Sequence, residues 1–198
     1  MASSFNFLLL SLLLVISSCA DDSGLPIGGT SSGSSKVMFL STNIYTGNLG
    51  GIAGADSICQ NDSKNPGGTF KALIVGATRR ACTTAFCASD GAAENLDWVL
   101  TPNTTYYDLN GSVVGTTNAN GLFTFPLQTA LSATTTDDFT WTGLTPNWTN
   151  GSFTCTNWTI GDSSASGFLG DGGRLTDEFI NTMSYGCQTF ENLICVQQ

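Results

Sequence analysis

Seven cysteines and no histidine set the chemistry open to this chain of 198 residues. The cysteines stand at Cys19, Cys59, Cys82, Cys87, Cys155, Cys187 and Cys195. Without an imidazole there is no Ser-His or Cys-His pair for nucleophilic catalysis and no histidine-bearing zinc site. Thiols can still cross-link, and two carboxylates can still hydrolyse a glycosidic bond, but no spacing of Asp or Glu suggests such a pair. No Gly-rich phosphate loop or CxxC pair stands out. The formal charge of −9 and pI of about 4.1 argue against a nucleic-acid partner. The expectation is a protein that is not an enzyme and carries no cofactor and no metal.

The first cysteine follows an apolar leader. The apolar run Phe7 to Ile16 is too short for a membrane-spanning helix, which needs about 20 residues, and suits the core of a secretory signal. It is followed by Ile16-Ser17-Ser18-Cys19, which resembles a relaxed bacterial lipobox. That resemblance implies diacylation of Cys19 and a membrane partner held through lipid. Ser18-Cys19-Ala20 also reads as an ordinary small-residue cleavage site, which gives a freely secreted product. Either way, removing Cys19 from the seven leaves six cysteines for the folded part. Expected boundaries are a signal peptide over 1–18, a lipidated N-terminus and Gly/Ser-rich tether over 19–36, and a folded domain over 37–198.

The elements that must position those six cysteines are short. Lys36 to Gly47 predicts a strand ending in a turn. Ile52, Ala55 and Cys59 recur at helical spacing after Gly50-Gly51, and the Pro66-Gly67-Gly68 stretch stops that helix. Phe70 to Val75 alternates as a central strand covered on both faces. Asn110-Gly111 predicts a hairpin between Thr105 and Gly115. Asp138 to Leu144 and Phe153 to Thr159 predict two aromatic strands, and Gly161 to Gly173 a loop. Asn192 to Gln198 predicts the closing strand, which carries Cys195. Short strands dominate and helix is sparse, which gives an α+β or mainly β domain with long loops.

Six cysteines in an oxidising compartment are expected to pair, but spacing does not choose the partners. Cys82 and Cys87 enclose only four residues and suit a small local loop. The others are Cys59, Cys155, Cys187 and Cys195. Among the four tryptophans, Trp141 and Trp158 are expected in the core. Trp148 sits in a polar turn and is expected to be exposed and available to a ligand. Arg79-Arg80 reads as a solvated turn or a basic tip on the disulfide loop.

The stretches "GGTFKALI", "WTG", "CTNW" and "GCQTFENLICVQQ" resemble the C-type lectin-like fold, and "YYDLNGSVV" and "LICVQ" resemble the endostatin domain within it. The chain also resembles a domain family of unknown function abundant in leptospiral envelope lipoproteins, through "GNLGGIAGADSICQ", "DWVLTPNTTYY", "GTTNANGLF" and "CTNWT". The resemblance implies an α+β, C-type lectin-like (endostatin-like) mixed antiparallel sheet with one or two short helices, long loops and disulfides. It implies nested bridges, Cys59 to Cys195 and Cys155 to Cys187.

Calcium-dependent sugar binding in C-type lectins resembles a fixed kit of Glu-Pro-Asn or Gln-Pro-Asp and Trp-Asn-Asp, and this chain has neither. Asp162, Asp171 and Asp177 are the other candidate calcium ligands and read as solvated loop acids. Endostatin's arginine surface and histidine-rich zinc site are also missing. The family resemblance implies a bacterial outer-membrane lipoprotein at the cell surface, an adhesin whose partner is an extracellular-matrix protein, a plasma protein or a glycan. The alternative is a structural envelope lipoprotein facing the periplasm.

Overall fold

The computed structural model describes Met1, residues 35–133 and residues 137–198. The expected signal peptide, Cys19 and nearly all of the tether lie outside the described residues. The fold is α+β, with two sheets, few short helices and three disulfides.

The larger sheet has five strands. They are β1 (Ser35–Leu40), β2 (Phe70–Ala72), β3 (Thr105–Tyr107), β4 (Val113–Thr116) and the C-terminal Ile194–Gln197. Their order is β2, the C-terminal strand, β1, β3, β4, so β2 is an outer strand where the sequence predicts a central one. β1 pairs in parallel with β3 and antiparallel with the C-terminal strand. Period-2 alternation sends neighbouring side chains to opposite faces. Met38, Leu40, Ile194 and Val196 therefore join one apolar cluster, and Phe39, Ala72 and Cys195 the other. Helix α1 (Gly51–Gln60) covers the second face with Ile52, Ala55 and Cys59, the three positions that its periodicity predicts. Cys59 is thus aimed at the sheet, and its bridge to Cys195 ties the helix to a central strand.

The smaller sheet is antiparallel, in the order β5 (Phe139–Trp141), β6 (Ser166–Asp171), β7 (Met183–Gly186); the C-terminal strand is then β8. β6 corrects one expectation, because Gly161 to Gly173 reads as a loop. Its small residues serve packing instead. A Cβ on Gly167 would lie 2.6 Å from the Trp141 ring, and one on Gly170 would strike the backbone of Phe179. The same strand overturns the reading of Asp171 as a solvated acid. It is buried and accepts from Arg174 Nε at 2.7 Å and from the Gly173 amide at 2.9 Å. Asp162 and Asp177 are exposed, as solvated loop acids should be.

A second correction concerns Phe153 to Thr159, which the sequence predicts as a strand. Residues Cys155–Trp158 form a single helical turn (α2) in which all four have positive φ, between 48° and 65°. The turn is left-handed, a conformation disfavoured for L-residues. It is held by the bridge Cys155–Cys187, by Thr154 Oγ1 accepting from the Asn157 amide at 3.3 Å, and by Asn157 Oδ1 accepting from the Ala77 amide at 2.8 Å. Trp158 is fully buried, as the sequence predicts, with its indole N–H on Val75 O at 2.8 Å and its ring 5.8 Å from Trp141.

The hairpin forms where Asn110-Gly111 predicts it. Asp108 Oδ1 accepts from the amides of Asn110 (2.9 Å) and Ser112 (2.7 Å), and Gly111 takes φ 83°. Arg79 corrects the reading of a solvated basic pair. It is fully buried, donating to both carboxylate oxygens of Asp56 at 2.8 and 2.7 Å and to Asp97 Oδ2 at 2.6 Å. Burial opposes its charge, but the paired carboxylates outweigh this and raise its pKa above the ordinary value. Asp56 lies on α1, so the ion pair is a second tie between that helix and the sheet.

Candidate functional site

Three irregular segments meet around an aromatic cleft. The first is the loop Cys82–Cys87, closed by its own disulfide. So small a ring forces unusual backbone, and Phe86 and Cys87 take φ of 56° and 55°. Phe86 is left 58% exposed at the rim. The second segment is the turn after Leu144, which presents Pro146 and Trp148. The third runs from Asn118 to Phe125. Together they line a cavity of about 310 Å³ with Phe86, Leu122, Phe123, Phe125, Pro146 and Trp148. Asn118, Thr124 and Asp177 supply its polar edge.

The three segments are pinned to one another by backbone. Phe86 N donates to Asn147 O at 2.9 Å, and Cys82 N to Trp148 O at 3.1 Å. Asn120 Nδ2 donates to Phe86 O at 3.3 Å. Beneath the disulfide loop lies Glu94, only 4% exposed. Its carboxylate accepts from the amides and hydroxyls of Thr83 and Thr84 at 2.6–2.7 Å, and from the amides of Ser89 and Asp90 at 3.1 Å. Burial acts to raise its pKa, but these donors outweigh burial and hold the carboxyl far below the usual carboxylate range. The loop is therefore wrapped around an acid whose charged form these donors favour.

Trp148 is the candidate site residue that the structure corrects. The polar turn around it predicts an exposed ring, and it is 1% exposed. Its φ of 67° swings the indole inward, while Thr145, Asn147 and Thr149 bond among themselves to make the turn's polar surface. Phe125 then stacks on the indole at 5.9 Å and 7°, and Trp98 meets it edge-on at 6.1 Å. Trp148 is the floor of the cleft and offers no free ring face. The exposed ring is Phe86, which the sequence reading does not single out. An apolar residue trapped between two close cysteines is the available signal, because such a loop cannot fold its own side chains inward.

The six cysteines are not part of this cleft as a group. Cys82–Cys87 frames it, while Cys59–Cys195 and Cys155–Cys187 lie in the second apolar cluster. Cys19 lies outside the described residues. Among the described residues no group of three His, Cys, Asp or Glu is placed to hold a metal ion, and no helix is long and apolar enough to cross a membrane. What the arrangement can do chemically is bind. An apolar cup with a few polar groups at its edge holds a ligand by burial and orients it by hydrogen bonds.

Compared with known families, residues 42–175 match the family described as Protein of unknown function (DUF1554). No curated protein matches the chain.

Proposed function

We propose, for a chain that belongs to the DUF1554 family, that its domain is a non-enzymatic binding module of C-type lectin-like fold on a surface-exposed bacterial lipoprotein. The domain binds extracellular-matrix proteins, plasma proteins or their glycans and so acts in adhesion. The observation that carries this reading is the aromatic cleft, whose rim is held in place before any ligand arrives. A rim fixed by a disulfide, a buried carboxylate hub and cross-segment backbone bonds loses little entropy on binding. The mixed five-stranded sheet and the bridge from α1 to β8 support the lectin-like assignment. The lipobox-like Ile16 to Cys19 supports the anchor, and the outer membrane is the membrane that this reading assigns to it.

The test is a solid-phase assay of the oxidised protein against matrix proteins, plasma proteins and a glycan array. Saturable binding is expected, weakened about tenfold or more by Phe86→Ala, the scale of a well-placed aromatic anchor. Absence of saturable binding to every class ends the reading. Mass spectrometry of the mature N-terminus tests the anchor: a diacylated Cys19 supports it, and an unmodified secreted N-terminus removes it. Protection of the protein from protease added to intact cells favours a structural role facing the periplasm.

A further inference from the structure

The aromatic cleft carries one charge. Phe86, Phe123, Phe125 and Trp148 line it with four rings, and Asp177 is the one ionisable side chain among its lining residues. The Asp177 side chain is exposed, and none of the ion pairs among the described residues includes it. Its position comes from the core beneath. Asp177 opens the short 3-10 turn Asp177–Phe179, and Phe179 is fully buried with its ring edge-on to Phe123 at 6.4 Å. The acid is thus held at the cleft by the same packing that builds the cleft wall.

The chain supplies no cation to meet this acid. All six basic residues have partners elsewhere. Lys36 Nζ donates to Thr101 Oγ1, Lys64 Nζ to Leu40 O, and Lys71 Nζ to Asp97. Arg79 is held by Asp56 and Asp97, Arg80 Nε donates to Glu94 O, and Arg174 pairs with Asp137 and Asp171. The other acceptor at the cleft edge is already engaged, because Asn118 Oδ1 accepts from the amides of Asn120 and Leu122 at 2.9 and 3.1 Å.

We propose that the group taken by this cleft is the side chain of a lysine on a partner protein, with its four-carbon stem among the rings and its ammonium at Asp177. This rests on the cleft being the binding site and names what the partner presents to it. Charge complementarity selects the occupant. Aromatic rings attract a cation through their faces and bury its apolar stem, and lysine is a compact charge at the end of such a stem. A cavity of about 310 Å³ is at the small end of ligand sites and suits one side chain. An acidic glycan would be repelled by Asp177 and by the net charge of −9, and a neutral one gains nothing from that charge.

The probe is a synthetic glycine-serine peptide with one central lysine, titrated into the full oxidised chain and followed by NMR at Phe86 and the Trp148 indole. Beside it runs the same peptide with norleucine, which keeps the stem and lacks the charge. The lysine peptide is expected to bind saturably and the norleucine peptide about tenfold more weakly, a gap that salt narrows. Asp177→Asn keeps the shape and removes the charge. It is expected to bring the lysine peptide down to the level of the norleucine peptide and to leave the latter unchanged. Phe86→Ala is expected to weaken both. Equal binding of the two peptides, or lysine binding untouched by Asp177→Asn, overturns the proposal while leaving the cleft a binding site. Failure of the lysine peptide to bind, or indifference to Phe86→Ala, overturns it as well, and the solid-phase assay then judges the binding role separately.

Discussion

The three disulfides close loops of very different size, and chain entropy therefore ranks them. Their sequence separations are 136 for Cys59–Cys195, 32 for Cys155–Cys187 and 5 for Cys82–Cys87. The loop-closure relation gives about 5, 4 and 2 kcal/mol respectively for the entropy each bridge removes from the unfolded chain. The perturbation is to replace each pair by two alanines, so that each variant loses the same two sulfurs. All six cysteines are buried, and the loss of packing is of similar kind in each. Urea unfolding of the three double variants at neutral pH is the assay. The outer pair should cost most and the local pair least. The first variant should also show the largest rise in m, because its unfolded chain expands most. A loss of about 5 kcal/mol is comparable with the whole stability of many domains, so the Cys59→Ala/Cys195→Ala protein is expected to be partly unfolded without denaturant. If the Cys82→Ala/Cys87→Ala variant falls as far as the outer one, loop closure is not what the bridges contribute.

Glu94 gives a pH signature. Its folded-state pKa lies far below its ordinary value of 4.5, so its contribution is present above about pH 4.5 and is lost as pH falls toward the folded value. Urea melts of Glu94→Gln should therefore differ most from the unsubstituted protein at neutral pH and converge toward it as the solution is acidified. Arg79→Ala leaves Asp56 without its cationic partner and Asp97 with Lys71 alone, and because both carboxylates are partly exposed it should cost about 2 kcal/mol in the same assay. Lysine at position 79 should restore only part of that, because it cannot grip Asp56 with two parallel bonds. Thr140 is fully buried, and among the described residues its hydroxyl has no hydrogen-bond partner. Thr140→Val keeps the branched shape and should raise the thermal midpoint, by about 1 kcal/mol of stability.

Local patterns carried much of the fold. The Ile52, Ala55, Cys59 spacing predicts the buried face of α1, and Asn110-Gly111 predicts the turn between β3 and β4. These are signals that a short window holds complete. Composition misleads at β6, where Gly and Ser read as loop although the Trp141 ring requires a small residue opposite it. The CTNW stretch misleads in the other direction. Nothing local favours four consecutive left-handed residues, and distant ties from Cys187 and Ala77 hold them. The cleft is the least legible part, since Phe86, Phe125 and Trp148 come from three segments with no common pattern.

By itself the sequence determined the class of chemistry: no histidine, an acidic balance, and six cysteines from Cys59 onward that could pair. It also determined where the chain turns and which face of α1 is apolar, because those depend on neighbours a few residues apart. Only the tertiary structure decided that Trp148 is a floor and Phe86 a rim, that Arg79 is buried between two carboxylates, and that Asp177 stands at the edge of the aromatic cleft. Burial and placement depend on what the rest of the chain brings alongside, and that is a property of the packed molecule.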